Sequence, residues 1–321
     1  MLCAEMLRML EERLANCRDC RPIRAPVAGE PSPQGALDLG AKPAKTPVMS
    51  DPLLPSSQLS RLRDILVRAA VAGGEAAMPF YRPAARTTAT IGYKASQSPV
   101  TEADYAADAA IRAALTEALP EAAIFSEEAA KGEARFSRRQ VAVVDPIDGT
   151  RAFIAGRSEW CVSVALLDDG RPVAGVIHAP ARGETFAAAA RLGATLNGRI
   201  LSRPVPSGGA MRITGPMHLI DQLDEHWPDL VGGETLKALA YRLVTVTDGR
   251  HDIAVASTGA HDWDIAAAAV ILAEAGCTLL TFSGERPVYN AAIPVHPALL
   301  AAEAGTAHRL AGLLAAAGSS A

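Results

Sequence analysis

Nowhere in the 321 residues does an uncharged apolar run approach the ~18 residues that would span a bilayer, so the sequence offers no membrane anchor. The first residues include Glu5, Glu11 and Glu12 and lack the basic start and apolar stretch of a secretory signal, which predicts a soluble, cytoplasmic protein. Charge of one sign is missing too. With 31 Lys+Arg against 35 Asp+Glu and no basic block, nothing marks a nucleic-acid footprint or an acidic disordered chain. The 5 cysteines are few and odd in number, and Cys3, Cys17 and Cys20 make no disulfide framework. The Cys17–Cys20 pair has no second ligand pair nearby to complete a zinc site, while Cys161 and Cys277 sit in apolar runs and read as core residues. No aromatic residue precedes Phe80, prolines crowd the stretch from Pro22 to Pro55, and no helical or strand period runs through it. Residues 1–52 are therefore expected to form a disordered tail, with a short amphipathic helix over residues 2–14 and Met49 as an alternative start.

From Leu59 the pattern changes. Leu62, Ile65, Leu66 and Ala69 recur at helical spacing, and a second helix is predicted from Glu102 to Leu119, ahead of Pro120. Short β-rich runs follow at Ala123–Phe125, Val141–Val144, Trp160–Leu167, Pro172–Ile177 and Thr185–Ala188, with Asp168-Asp169-Gly170 marking a hairpin turn. These predict helices on a mainly antiparallel sheet. After Gly193 strands near Met211–Thr214, Asp252–Ala256 and Thr278–Phe282 alternate with helices from His218, from Thr235 to Val246 and from Trp263 to Ala275. Such alternation predicts a second, α/β layer system.

Chemistry concentrates in Asp145-Pro146-Ile147-Asp148-Gly149-Thr150. A buried apolar strand ends at Asp145, Pro146 stops it in a sheet centre, and Asp148-Gly149-Thr150 opens a short helix over Arg151–Ala155. Two carboxylates at a strand tip offer hard oxygen ligands that suit Mg²⁺, and the amides of Gly149 and Thr150 are placed to hold a phosphate. More acid is needed if several cations share one phosphate. Glu127 and Glu128 follow the Ile124-Phe125 strand, Asp264 starts the helix after Trp263, and Asp104 follows Ser98-Pro99-Val100-Thr101. Each has a plainer alternative: a surface pair for the glutamates, first-turn acids stabilised by the helix dipole for the two aspartates.

In order along the chain, Lys94 with Ser98–Asp104, Glu127-Glu128, Asp145–Thr150, Trp263-Asp264-Ile265-Ala266-Ala267 and Glu274-Ala275-Gly276 resemble the inositol monophosphatase superfamily of Mg²⁺-dependent, lithium-sensitive phosphomonoesterases. The resemblance implies a layered αβαβα sandwich. Its mainly antiparallel sheet and helices would occupy a metal- and phosphate-binding α+β subdomain at residues 53–190, followed by a C-terminal α/β subdomain at 191–318 that supplies Asp264 and substrate contacts. It implies two or three Mg²⁺ ions: one held by Glu127, Asp145 and the Ile147 carbonyl, a second by Asp145, Asp148 and Asp264, and a weaker third at Glu127. Thr150, oriented by Asp104, would activate the attacking water. The expected partner is a small phosphorylated metabolite, with neither nucleic acid nor membrane and with a homodimer allowed.

Substrate is read from finer features. Inositol phosphatases of the superfamily keep a glutamate seven residues before the aspartate of the Trp-Asp motif, and Ser257 stands there. The run from Asp145 to Pro180 looks more like the bacterial 3′(2′),5′-bisphosphate nucleotidases (CysQ-like). Their Gly-Ser-Ser-Leu-Lys segment reads Gly233-Glu234-Thr235-Leu236-Lys237 here. Lys94, Gly149, Thr150, Thr235 and Lys237 are thus expected phosphate or substrate contacts, and 3′-phosphoadenosine 5′-phosphate the expected substrate type. Inositol 1-phosphate and histidinol phosphate are the alternative esters, and an inactive binding or regulatory homologue is the alternative of another class.

Overall fold

The structure is a computed structural model describing residues 54–129, 133–202, 209–224, 227 and 229–318. The expected tail and its Cys17–Cys20 pair lie outside these residues. Helix α1 (Ser56–Ala77) buries Leu59, Leu62, Ile65, Leu66 and Ala69, the positions that the sequence spacing marks. A hairpin of β1 (Ile91–Tyr93) and β2 (Pro99–Thr101) leads into α2 (Glu102–Ala118), whose start is fixed by a reciprocal cap between Thr101 and Asp104.

The first large sheet comprises β3 (Ala123–Ser126), β4 (Gln140–Asp148), β5 (Cys161–Asp168), β6 (Arg171–Ala179), β7 (Glu184–Ala189), β8 (Ala194–Leu196) and β9 (Arg199–Ile200), paired in that order. Only β3 and β4 run parallel. Asp169 and Gly170 take φ of 50° and 72°, the two left-handed residues of a primed hairpin turn between β5 and β6. Between Asp148 and β5 lies the single-turn helix α3 (Thr150–Ile154).

The second sheet has order β11-β10-β12-β16-β14, formed by β10 (Met211–Thr214), β11 (Leu230–Gly232), β12 (Ile253–Ala256), β14 (Cys277–Thr281) and β16 (Leu299–Glu303). β13 (Ala260–His261) and β15 (Val295–His296) pair separately. The helices here are α4 (Met217–Asp224), α5 (Leu239–Val244), α6 (Asp262–Glu274) and α7 (Ala304–Gly318).

Five layers result. Leu59, Leu66, Ile111 and Leu115 of α1 and α2 pack on Val144, Val164 and Val176 at the outer face of the first sheet. Leu243, Ile265 and Ile271 of α5 and α6 fill the space between Leu167, Ile177 and Phe186 of that sheet and Ala254, Leu279 and Leu299 of the second. A Cβ on Gly175 of β6 would lie 2.6 Å from the Ala267 carbonyl, so only glycine lets α6 approach this closely. Leu219 and Leu310 of α4 and α7 cover Ile213, Val255 and Leu300 on the far side. The architecture is the expected αβαβα α+β sandwich. Among the described residues no helix is long and apolar enough to cross a membrane.

Two local expectations are corrected. β4 does not stop at Pro146 but reaches Asp148 across a break in register, because a bulge accommodates the missing donor. The helix expected from Thr235 starts only at Leu239, since Ala238 is extended and the first amides are claimed from outside the helix. Strand β16 and helix α7 lie beyond the elements read from the sequence.

Candidate active site

In a regular strand Asp145 and Asp148 would face opposite sides, three residues apart. The register break between them, with the Ile147 amide folded back onto Asp145 Oδ1 at 3.0 Å, turns both carboxylates into one corner. Gly149 then takes φ +88° to open α3, and a Cβ there would also meet Ala238 Cβ at 2.9 Å. From the opposite layer, Asp264 in the first turn of α6 accepts the His261 amide at 2.6 Å. Asp145, Asp148 and Asp264 thereby bring ligand oxygens within 4.8 Å of one another.

Such crowding has an electrostatic signature. Burial, then repulsion from Glu127, Asp148, Asp264 and Asp104, holds the Asp145 carboxyl well above the usual range, and burial followed by Asp148 does the same to Asp264. Asp148 rises only to about 6: burial lifts it, while the amides of Leu239 (3.0 Å), Ala240 (2.6 Å) and Tyr241 (3.4 Å) oppose the shift. Clustered buried oxygens that repel one another fit a hard divalent cation such as Mg²⁺, which would supply the compensating charge.

Glu127 follows β3 beside the tip of β4. Lys94, from the β1–β2 hairpin, bonds Glu127 at 2.7 Å and Glu128 at 2.8 Å, so an expected phosphate contact is here an ion-pair partner of the acids. Burial pushes Glu128 up to about 7 despite Lys94. Burial disfavours the Lys94 ammonium, but Glu127 and Glu128 outweigh that and hold it charged. Asp104 both caps α2 and reaches the site: Oδ2 accepts the Thr101 amide and hydroxyl at 2.7 and 2.6 Å, while Oδ1 lies 3.3 Å from Thr150 Oγ1. Burial pushes Asp104 up to about 6. The Thr150 hydroxyl also lies 3.1 Å from the Ile147 carbonyl.

Of these groups Glu127 and Thr150 line a cleft of ≈ 470 Å³, together with Gly149, Arg151, Arg157 and Lys237, among others. Thr235, also expected at the substrate, is exposed and does not line it. Glu234 is ion-paired with Arg182 at 2.9 Å. Ser257, at the end of β12, has its hydroxyl 3.5 Å from His218 Nε2. Sequence reasoning missed several neighbours. The Cys161 thiol donates to Asp148 Oδ2 at 3.6 Å, the His261 ring stacks on Trp263 at 4.5 Å, and Arg242 lies buried behind Asp148. The cross-strand register Asp148↔Cys161 is invisible without the bulge, and a lone histidine or arginine carries no pattern.

Residues 58–317 match the model of the inositol monophosphatase family. The Nus factor SuhB of Pseudomonas aeruginosa is 36% identical over 235 residues, 69% of this chain and 85% of that protein. A histidinol-phosphatase of Chlorobaculum parvum is 32% identical over 207 residues, 61% and 78% of the two chains. The 3′(2′),5′-bisphosphate nucleotidase CysQ of Escherichia coli is 41% identical over only 97 residues, 30% of this chain and 39% of that one. Among solved structures, the extragenic suppressor protein suhB of Bartonella henselae superposes with TM-score 0.68 at 25% identity, covering 79% of this chain and 98% of its own.

Proposed function

The chain belongs to the inositol monophosphatase family and is a phosphoric monoester hydrolase, and we propose that its substrate is a 3′(2′),5′-bisphosphate nucleotide such as 3′-phosphoadenosine 5′-phosphate. The convergence of Asp145, Asp148 and Asp264 beside the Gly149-Thr150 turn carries the hydrolytic reading. Glu127, Asp145, Asp148, Asp264 and the Ile147 carbonyl would hold two or three Mg²⁺ ions. When bound, these ions supply Lewis acidity toward the phosphoryl oxygens and leaving alkoxide and lower the pKa of water.

The chain's own groups have distinct tasks. The amides of Gly149 and Thr150 orient the scissile phosphate, and Lys237 adds a point charge at the cleft wall. Thr150 Oγ1 takes the proton of the attacking water as it passes its own to Asp104 Oδ1, which Thr101 leaves open by occupying Oδ2. Glu127 stays oriented by Lys94.

For the substrate, the cleft lining supports an anionic ester: Arg151 and Lys237 face it beside Arg157, which Glu159 neutralises, and its one lining carboxylate, Glu127, is paired with Lys94. An amine-bearing ester such as histidinol phosphate would meet like charge there. Inositol 1-phosphate would lack the carboxylate that the family resemblance expects at position 257, where this chain has serine. Glu234 does not repel a polyanion, because Arg182 neutralises it.

The test compares kcat/KM, with Mg²⁺, for 3′-phosphoadenosine 5′-phosphate, inositol 1-phosphate and histidinol phosphate. At least a ~10-fold advantage for the nucleotide is expected, about 1.4 kcal/mol of differential transition-state binding. Preference for another ester overturns the nucleotide assignment. Absence of Mg²⁺-dependent phosphate release from all three would point to a binding homologue instead.

A further inference from the structure

Lys237 lines the cleft from an extended segment, yet its neighbours on both sides are held tightly. On its C-terminal side, Ala238 wedges against Gly149, and α5 has no cap of its own: its amides at Leu239, Ala240 and Tyr241 are satisfied by Asp148, from another layer of the fold. On its N-terminal side, Leu236 is buried and its carbonyl accepts Arg242 Nη1 at 2.9 Å. Arg242 sits in α5 and reaches back past Lys237 to make that bond.

Arg242 is an expensive choice for packing. Its side chain is 9% exposed, no carboxylate lies within ion-pair distance among the described residues, and its Nε is buried without a partner. A methionine of similar length would fill the space without desolvating a cation. What the cation does have is the Leu236 carbonyl and a through-space attraction to Asp148. The same α5 turn is thus gripped by an acid at its start and grips Leu236 through a base.

We propose that Arg242 is a positioning residue which, with Asp148, clamps residues 236–241 and so fixes Lys237 against the phosphoester in the cleft. The inference rests on the phosphoesterase reading for Lys237, but the clamp itself is independent of it. A cation presented from a fixed backbone loses little freedom on binding, so the clamp tightens substrate binding more than it changes the chemical step.

Arg242→Met, Arg242→Lys, Lys237→Met and the Arg242→Met/Lys237→Met double variant are compared with wild type on 3′-phosphoadenosine 5′-phosphate and on 4-nitrophenyl phosphate. Hydrogen exchange is followed in peptides covering 235–241. Arg242→Met is expected to raise KM about 10-fold with kcat changed less than about twofold, and to speed exchange in that segment while the remaining protection is kept. In the Lys237→Met background the same change should alter KM less than about twofold, since there is no longer a charge to position. Arg242→Lys, which keeps a cation able to reach Leu236, should recover part of the loss. Multiplicative effects of the two substitutions, or exchange at wild-type rates in Arg242→Met, overturn the clamp. An inactive wild type would overturn the phosphoesterase reading while the exchange result still decides the clamp.

Discussion

Asp145→Asn separates charge from structure most cleanly. Two unit charges at 4.8 Å, the span of the acidic cluster, repel by about 3.5 kcal/mol at an effective dielectric near 20, and Asp145 has two such neighbours. That sum overstates the relief, because a crowded carboxyl can take up a proton. Protonating it at pH 7 from an ordinary value of 3.8 costs about 4 kcal/mol, at about 1.4 kcal/mol per pH unit, and this sets the ceiling. Asparagine keeps an oxygen for the Ile147 amide, so little is lost in exchange. Without divalent metal the variant should be more stable than wild type by about 1–3 kcal/mol, a rise of roughly 2–10 °C in Tm at this chain size. With saturating Mg²⁺ the order should invert, since wild type gains binding free energy and the variant loses a ligand. Activity should fall at least ~10²-fold. Calorimetry in EDTA and in Mg²⁺ reads all the stability terms. A variant less stable than wild type in EDTA, or one stabilised equally by Mg²⁺, would refute the mutual repulsion or the ligand role respectively.

Stability of the metal-free protein should fall as pH rises from about 4 to 7, the buried carboxyls outweighing His178, His251 and His261, whose values burial lowers and which work in the opposite direction. Asp104 and Asp148 at about 6 and Glu128 at about 7 are raised above their unfolded values, so folding takes up protons in that window and its advantage is lost as pH passes each folded value. Denaturant melts in EDTA at several pH values, showing instead a rise, would contradict the burial argument. Gly149→Ala should destabilise by about 2–4 kcal/mol, combining a left-handed backbone with a Cβ 2.9 Å from Ala238, and should raise KM. An unchanged Tm would count against the wedge between Gly149 and Ala238.

What was legible in the sequence is what local period encodes. Helix α1 follows from Leu62, Ile65, Leu66 and Ala69 because one buried face needs that spacing, and the β5–β6 hairpin follows from Asp169-Gly170 because both residues must be left-handed. The start of α5 was not legible. Periodicity places Thr235 in the helix, but the amides that define its first turn are claimed by Asp148, 91 residues away from Leu239. Helix α7 is alanine-rich and β16 is a short Leu-Leu-Ala-Ala run, and neither composition presents a face to distinguish inside from outside.

The site divides along the same line. Asp145 and Asp148 stand out as a string, whereas Glu127 and Asp264 are ordinary acids until β3 and α6 bring them to it. Roles that depend on a partner across the fold carried no signal at all: Lys94 against Glu127, Arg182 against Glu234, Arg242 against Asp148.

Asp148 shows why that distinction matters for function. Its Oδ2 already accepts the amides of Ala240 and Tyr241 and the Cys161 thiol, and its Oδ1 the amide of Leu239. A carboxylate has roughly four acceptor positions, so most of this one's capacity secures α5. The same carboxylate still places an oxygen within 4.8 Å of ligand oxygens of Asp145 and Asp264. One side chain therefore links the charge of the acidic cluster to the backbone that presents Lys237. Neutralising Asp148 removes both at once, and only substitutions at Asp145 and at Arg242 can tell the two contributions apart.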